Sequence, residues 1–282
     1  MQSDKGPARP TDLLVFKLKG LPAWLAKPIR AGLGSLTGFT ALNRGYAQLP
    51  PCEPSEFPEL LFKVMNVEVV TEGRYPEAVP TSGPVVVVAN HPFGVIEGLA
   101  MRFLLKKARA DAAMMIVSWL SAVPELHQDS IFVGRRDTNR YRGQSVSGLR
   151  QAYSWLKSGA ALSVFPAAMV EHFRWDRGRV ADPDWSPHIA SLIRRTNATT
   201  IPVHFRGHNS FRFFVLTAIL PAMAKLLLIR ELLNKRNTRI VSVWGEPIPP
   251  EAWSEKMSDA EVIAQLQRTV EDLGRKPSPT IK

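Results

Sequence analysis

Six short apolar runs recur along this chain with helical patterns between them, and no other feature limits the fold as strongly. VEVV (67–70), VVVVAN (85–90), AMMIVS (113–118), ALSVF (161–165), TTIPVHF (199–205) and IVSVW (240–244) are rich in β-branched residues. They are apolar on both faces, as strands covered on both sides by helices must be. Residues 96–109, 144–158 and 187–197 carry helical patterns, and the last has Ser186 at its N-cap and Pro187 at its first position. A final helix begins at Ser258, where Glu261 completes a capping box and Val262, Ile263, Leu266 and Val270 share one face. The alternation predicts an α/β fold with a mostly parallel central sheet flanked by helices.

A chain of 282 residues with 45% hydrophobic and 22% charged residues can bury one large core. The expected organisation is an N-terminal amphipathic helical segment over 1–50, the main domain over 51–275 and a flexible tail over 276–282. Residues 12–35 mix Leu13, Leu14, Phe16, Leu18, Leu21, Trp24 and Leu25 with Lys17, Lys19, Lys27 and Arg30, interrupted by Pro22 and Pro28. That is the composition of a basic helix pair lying in a membrane interface, and equally of an amphipathic helix packed on the core.

No stretch has the roughly 20 uninterrupted apolar residues of a spanning helix. Phe213 to Ile229 comes nearest, but Pro221 and Lys225 break it, so it reads as a buried or interface-lying segment. The opening MQSDKGPARP is polar where a signal peptide places its apolar region, so secretion is not expected. A formal net charge of +11 calls for an anionic partner: nucleic acid, acidic phospholipid or an acidic carrier protein. No nucleic-acid-binding module accompanies the charge, so nucleic acid is not expected. Cys52, the single cysteine, cannot form an intramolecular disulfide or a Cys-rich metal site. The histidines show no zinc-ligand spacing, and no metal is expected.

The segment VVVVANHPFGVIEG carries the chemistry, because it puts His91 and Glu97 in the turn leaving an apolar strand. Ligand sites of open α/β sheets lie there. Pro92 and Gly94 bend the backbone, so a six-residue spacing can return the carboxylate to the imidazole. An imidazole of pKa near 6.5 can take an alcohol proton at neutral pH, and a carboxylate on its other nitrogen fixes the tautomer. No Ser or Cys nucleophile stands beside the pair, which favours direct transfer over a covalent intermediate. The residue types alone leave His91 open between a general base and a structural strand-end histidine.

ANHPFGVIEG resembles the first motif of the glycerolipid acyltransferase superfamily, the lysophosphatidate acyltransferase type, in which His is followed after four residues by Asp. Five intervening residues place the likeness in the bacterial hemolysin-like and lyso-ornithine-lipid-type branch. DSIFVGRRD (129–137) is similar to the second motif, VFPAA (164–168) to the Phe-Pro motif, and TIPVHFRGHNS (200–210) to the Ile-Pro-Val motif. RELLNKRNTRIVSVWGEPIP is similar to the closing region of the hemolysin-like branch. The likeness spans roughly residues 60–250.

This resemblance implies an acyltransferase that moves a fatty-acyl chain from acyl carrier protein or acyl-CoA to the hydroxyl of a lysolipid. It implies no cofactor beyond that thioester co-substrate. His91 would be the base and Glu97 its orienting carboxylate, with backbone amides of the Pro92, Phe93 and Gly94 turn as candidate oxyanion donors. Arg135 and Arg136 would bind the acceptor head group, the loop Phe165, Pro166, Ala167 and Ala168 would form part of the acceptor pocket, and Glu171 would supply a carboxylate there. The expected location is the cytoplasmic face of the inner membrane, held peripherally or monotopically on an anionic surface.

Three departures matter. Glu97 keeps the charge of the usual Asp and adds a methylene. Ala168 stands where the family has Gly, and Met169 where this branch often has an acidic residue. The alternatives are N-acylation of an amine or amino-acid lipid head group, and a catalytically impaired lipid-binding member. The stretch Trp175 to Trp185 reads as a long polar loop over the site.

Overall fold

The computed structural model describes residues 32, 34, 35, 37–134, 142–220 and 224–275. The segment 12–30, Arg135, Arg136 and the tail 276–282 therefore lie outside the described residues.

Helices α1 (Phe39–Ala47) and α2 (Phe57–Met65) precede β1 (Glu68–Gly73), β2 (Val85–Ala89) and α3 (Ile96–Ala108). β3 (Ala112–Val117), β4 (Ser130–Val133), α4 (Arg142–Lys157) and β5 (Ala161–Val164) follow. A two-stranded antiparallel ribbon, β6 (His172–Arg174) and β7 (Arg179–Ala181), leads to α5 (Pro187–Thr196) and β8 (Thr199–Phe205). Helices α6 (Phe211–Ile219) and α7 (Ala224–Asn234), strand β9 (Arg239–Trp244) and helix α8 (Asp259–Arg275) complete the described elements.

Seven strands form one sheet in the order β1-β9-β8-β2-β5-β3-β4. All neighbours run parallel except β8 and β9. The mostly parallel sheet matches the expectation, and the six predicted strands fall where the apolar runs put them, within two residues at each end except for the longer end of β1. Strand β2 shows why these runs read as apolar on both faces. Val85, Val87 and Ala89 face a core layer with α2 and α3, while Val86 and Val88 face a second layer with α4, α5 and α8. At roughly 25 cal/mol per Å² of apolar area, these two layers are the main stabilising term of the fold.

Some details depart from the sequence reading. The stretch read as a polar loop, 175–185, contains the turn of the β6–β7 hairpin and strand β7, with β6 just before it, and β4 adds an edge strand inside the second motif. The apolar segment Phe213 to Ile229 divides into α6 and α7. Ser186 occupies the N-cap of α5 without a side-chain cap; its amide instead donates to Pro166 O at 3.1 Å. The capping box of α8 forms: Ser258 N–H donates to Glu261 Oε2 at 2.8 Å, and Glu261 N–H to Ser258 Oγ at 3.3 Å.

Candidate active site

The carboxyl ends of β2, β5 and β8 deliver three loops to one place. At the end of β2, Asn90 holds β8 through its side chain: Phe205 N–H donates to Oδ1 at 2.7 Å, and Nδ2 donates to Phe205 O at 3.0 Å. This side chain continues the ladder past the last strand residue and fixes the point from which His91 projects.

His91 Nδ1 lies 3.0 Å from Glu97 Oε1, and Glu97 is fully buried. The ring nitrogen is not well aligned with that oxygen, so the contact is close but falls short of a hydrogen bond. Glu97 Oε1 also accepts from Phe93 N–H at 2.8 Å and Gly94 N–H at 2.6 Å. Both amides of the turn are thereby engaged by Glu97, and the His91 N–H is taken by Asp182, so none of the three stands open to an oxyanion. The turn needs glycine at 94: φ is 100°, and a Cβ would come within 2.7 Å of Leu228 Cδ2 and Val170 Cγ1. Phe93 is held from outside by Asn209 Nδ2, which donates to its carbonyl at 3.3 Å, and by Lys235 Nζ, 4.2 Å above its ring.

The Phe-Pro loop covers the imidazole. Phe165 stacks on His91 with ring centroids 4.5 Å apart. Pro166 and Ala168 line the same cavity as His91, while Ala167 is buried in the opposite core layer. Ala168 adopts a left-handed conformation with φ 57°, which is why glycine suits this position. The cavity is about 460 Å³ and largely apolar, walled by α3, β3 and the start of α5. Val133 and Gly134 bring the second motif to its rim. A smaller apolar pocket of about 100 Å³ shares Val95, Leu99, Leu120 and Leu126 with it.

Sequence reading missed a second set of residues. Asp182, buried, accepts from the His91 backbone N–H at 3.1 Å and from the Trp185 indole N–H at 2.9 Å. Asn90 Nδ2 donates to Glu171 Oε1 at 3.2 Å, and Glu171 N–H donates to His91 O at 2.9 Å. Glu171, expected in the acceptor pocket, instead faces a polar cavity of about 210 Å³ on the far side of the His91 backbone, with Asp182, His204 and Gln267. Its backbone continues as β6 behind the turn, which directs the side chain away from the imidazole face.

Burial by itself would lower the His91 pKa, but the facing Glu97, with Asp182 and Glu171 beyond it, holds it above the ordinary value. Burial would raise Glu97; His91 and the Gly94 and Phe93 amides hold it below the usual carboxylate range. Burial, then the Asp182 charge, push Glu171 up to about 7, and burial lifts Asp182 to about 6. Among the described residues no grouping of His, Cys, Asp and Glu could hold a metal ion, and no helix is long and apolar enough to cross a membrane.

A buried imidazole–carboxylate pair at the strand ends of an α/β sheet, opening on an apolar cavity, makes this the candidate functional site. No family model matches the chain. It is 24% identical over 213 residues to a lyso-glycine lipid O-acyltransferase of Phocaeicola vulgatus, covering 73% of each chain. It is 23% identical over 219 residues to a lyso-glycine lipid O-acyltransferase of Bacteroides thetaiotaomicron, covering 72% of this chain and 78% of the relative. The crystal structure of the 1-acyl-sn-glycerophosphate (LPA) acyltransferase PlsC from Thermotoga maritima superposes with a TM-score of 0.50 at 19% identity over 80% of each chain. The resemblance to the glycerolipid acyltransferase superfamily thus extends from the motifs to most of the chain, and it supports a lipid acyltransferase.

Proposed function

We propose that this protein transfers a fatty-acyl group from acyl carrier protein or acyl-CoA to the hydroxyl of a lysolipid at a membrane surface, with His91 as general base. The observation that carries this reading is the buried His91–Glu97 pair on the wall of the 460 Å³ apolar cavity. Such a cavity is of a size and lining suited to an aliphatic chain.

The acceptor hydroxyl gives its proton to the outer nitrogen of His91 as its oxygen bonds to the thioester carbon. Glu97 stabilises the imidazolium and keeps Nδ1 protonated in the resting ring. The tetrahedral intermediate then breaks its C–S bond, and the thiolate recovers the proton from His91. The macrodipole at the start of α3, beside the cavity, favours the developing oxyanion. The acyl chain lies along Met114, Ile116, Leu99 and Leu120 towards the smaller apolar pocket.

The lyso-glycine lipid relatives make a lysolipid whose head group ends in a carboxylate the first acceptor to assay. The test is turnover of acyl-CoA and acyl carrier protein thioesters with such acceptors, followed by lipid mass spectrometry, for the wild type and His91→Ala. Loss of the O-acylated product in a folded variant is expected. Undiminished product would remove His91 from the mechanism.

A further inference from the structure

Helix α6, FRFFVLTAI, carries large apolar side chains on both its inner and outer sides, broken only by Arg212 and Thr217, yet only the inner side is buried. Phe213 and Phe214 turn inward, packing with Leu228 of α7, Val170 and Val180 of the hairpin. Phe211, Val215, Leu216 and Ile219 turn outward, and Phe211 is 81% exposed and Ile219 69%. At 100° per residue these four span one continuous half of the helix surface. A helix with large apolar side chains on both sides ordinarily has both sides covered.

The outward face is built to stay outward. Ser210 caps α6, accepting from Phe213 N–H at 3.2 Å. The same Ser210 is locked to α7, donating from its amide at 2.8 Å and its hydroxyl at 2.7 Å to the buried Glu231. Rolling the helix to hide its apolar side would expose Phe213 and Phe214 and break this network. Trp175, 81% exposed, ends the hairpin on which α6 lies.

We propose that the outer face of α6 is a docking surface for an anionic phospholipid bilayer. Arg212 sits in the middle of the apolar half, exposed, between the rows of Phe211 and Leu216. A cation there is badly placed against an apolar protein partner. At a bilayer its guanidinium reaches the phosphates while the neighbouring side chains enter the acyl boundary. The net charge of +11 draws the whole molecule towards an anionic surface. An exposed tryptophan is likewise suited to the headgroup level. The inner face of α6 shares Val170 and Leu228 with the tight contact at Gly94 in the His91 turn, so docking would set the catalytic turn close to the lipid source. The inference rests on the acyltransfer reading only for the identity of that lipid substrate.

The test compares flotation of wild type, Phe211→Ser/Ile219→Ser and Arg212→Glu with vesicles of phosphatidylcholine, alone or mixed with phosphatidylglycerol. The double variant is expected to lower partitioning by about tenfold or more. Arg212→Glu is expected to weaken only the phosphatidylglycerol-dependent part. Thermal melts and turnover of a short-chain acceptor dissolved as monomers should stay at wild-type levels in the double variant. Equal vesicle binding by the double variant overturns the proposal. So does a wild type that ignores vesicles, or one that sediments as a dimer which the double variant dissociates, since a second copy would then cover the face. Vesicle binding without turnover supports the docking face while refuting the acyltransfer reading, and turnover of dissolved acceptor without vesicle binding does the reverse.

Discussion

The carboxylate of Asp182 accepts a hydrogen bond from the backbone N–H of His91 at 3.1 Å, joining positions 91 residues apart. Its other oxygen takes the Trp185 indole N–H at 2.9 Å, so one buried side chain satisfies two donors. His91 is therefore held from two sides, its ring by Glu97 and its backbone by Asp182. Asp182→Ala would leave both donors buried and unpaired, at about 1–3 kcal/mol each. The expected result is a clear fall in melting temperature with a fall in kcat. Asp182→Asn in a Trp185→Phe background needs only one acceptor and should recover most of the stability. It should still show the acid limb of the kcat/KM profile at lower pH, because the Asp182 charge that raises His91 is gone. An unshifted limb would reduce Asp182 to a packing role.

Glu97→Gln preserves size and an acceptor for the Phe93 and Gly94 amides but removes the charge facing His91. A loss of roughly 10²–10⁴ in kcat with little change in KM is expected, the range of one positioned acid–base partner. The free base must be neutral to act, so wild-type kcat/KM should climb with pH through a His91 pKa that lies above 6.5. In Glu97→Gln that climb should begin at lower pH. Glu97→Asp tests geometry: the shorter arm cannot hold both amides and the imidazole, and a misplacement of about 1 Å costs on the order of 10²-fold. Steady-state kinetics against pH check all three statements.

How much of this was legible beforehand follows from the range of each interaction. The strands were legible because β2 is buried on both faces, and the His91–Glu97 pair because six residues and one turn connect its members. Asp182 and Glu171 were not. A carboxylate 91 positions downstream becomes a partner of His91 only when the β6–β7 hairpin folds back behind the turn, and ADPDW contains no local sign of it. Likewise, nothing local distinguishes a Glu171 that faces the acceptor from one that faces the opposite cavity. Asn90 stood inside the recognised motif, but its role in continuing the β2–β8 ladder depends on a register set by residues 199–205.

Glu171 makes stability depend on pH in a defined window. Its folded pKa is raised from 4.5 to about 7, first by burial and then by Asp182. A raised folded pKa means that the folded state binds the extra proton. The stabilising contribution is fully present below pH 4.5 and is lost as pH rises through about 7. Wild-type protein should therefore melt at a higher temperature at pH 5 than at pH 8 by more than Glu171→Gln does. The variant keeps an acceptor for Asn90 and removes the titration. Identical pH dependence of the two melts would mean that Glu171 is not the titrating group.

Ala168 supplies the last test, because it occupies a left-handed conformation at φ 57° in the loop that forms the cavity wall behind Phe165. For a residue with a Cβ this region costs roughly 1–2 kcal/mol, and glycine avoids that cost while losing more chain entropy on folding. The balance favours Ala168→Gly by about 0.5–1 kcal/mol, to be read as a modest rise in melting temperature. The turn persists because Ala168 N–H donates to Phe165 O at 3.0 Å, which fixes the chain reversal whichever residue stands there. Turnover by the glycine variant should match or exceed wild type, since Phe165 keeps its place on the His91 ring. A destabilised Ala168→Gly variant would show that the alanine methyl contributes packing that outweighs its backbone strain.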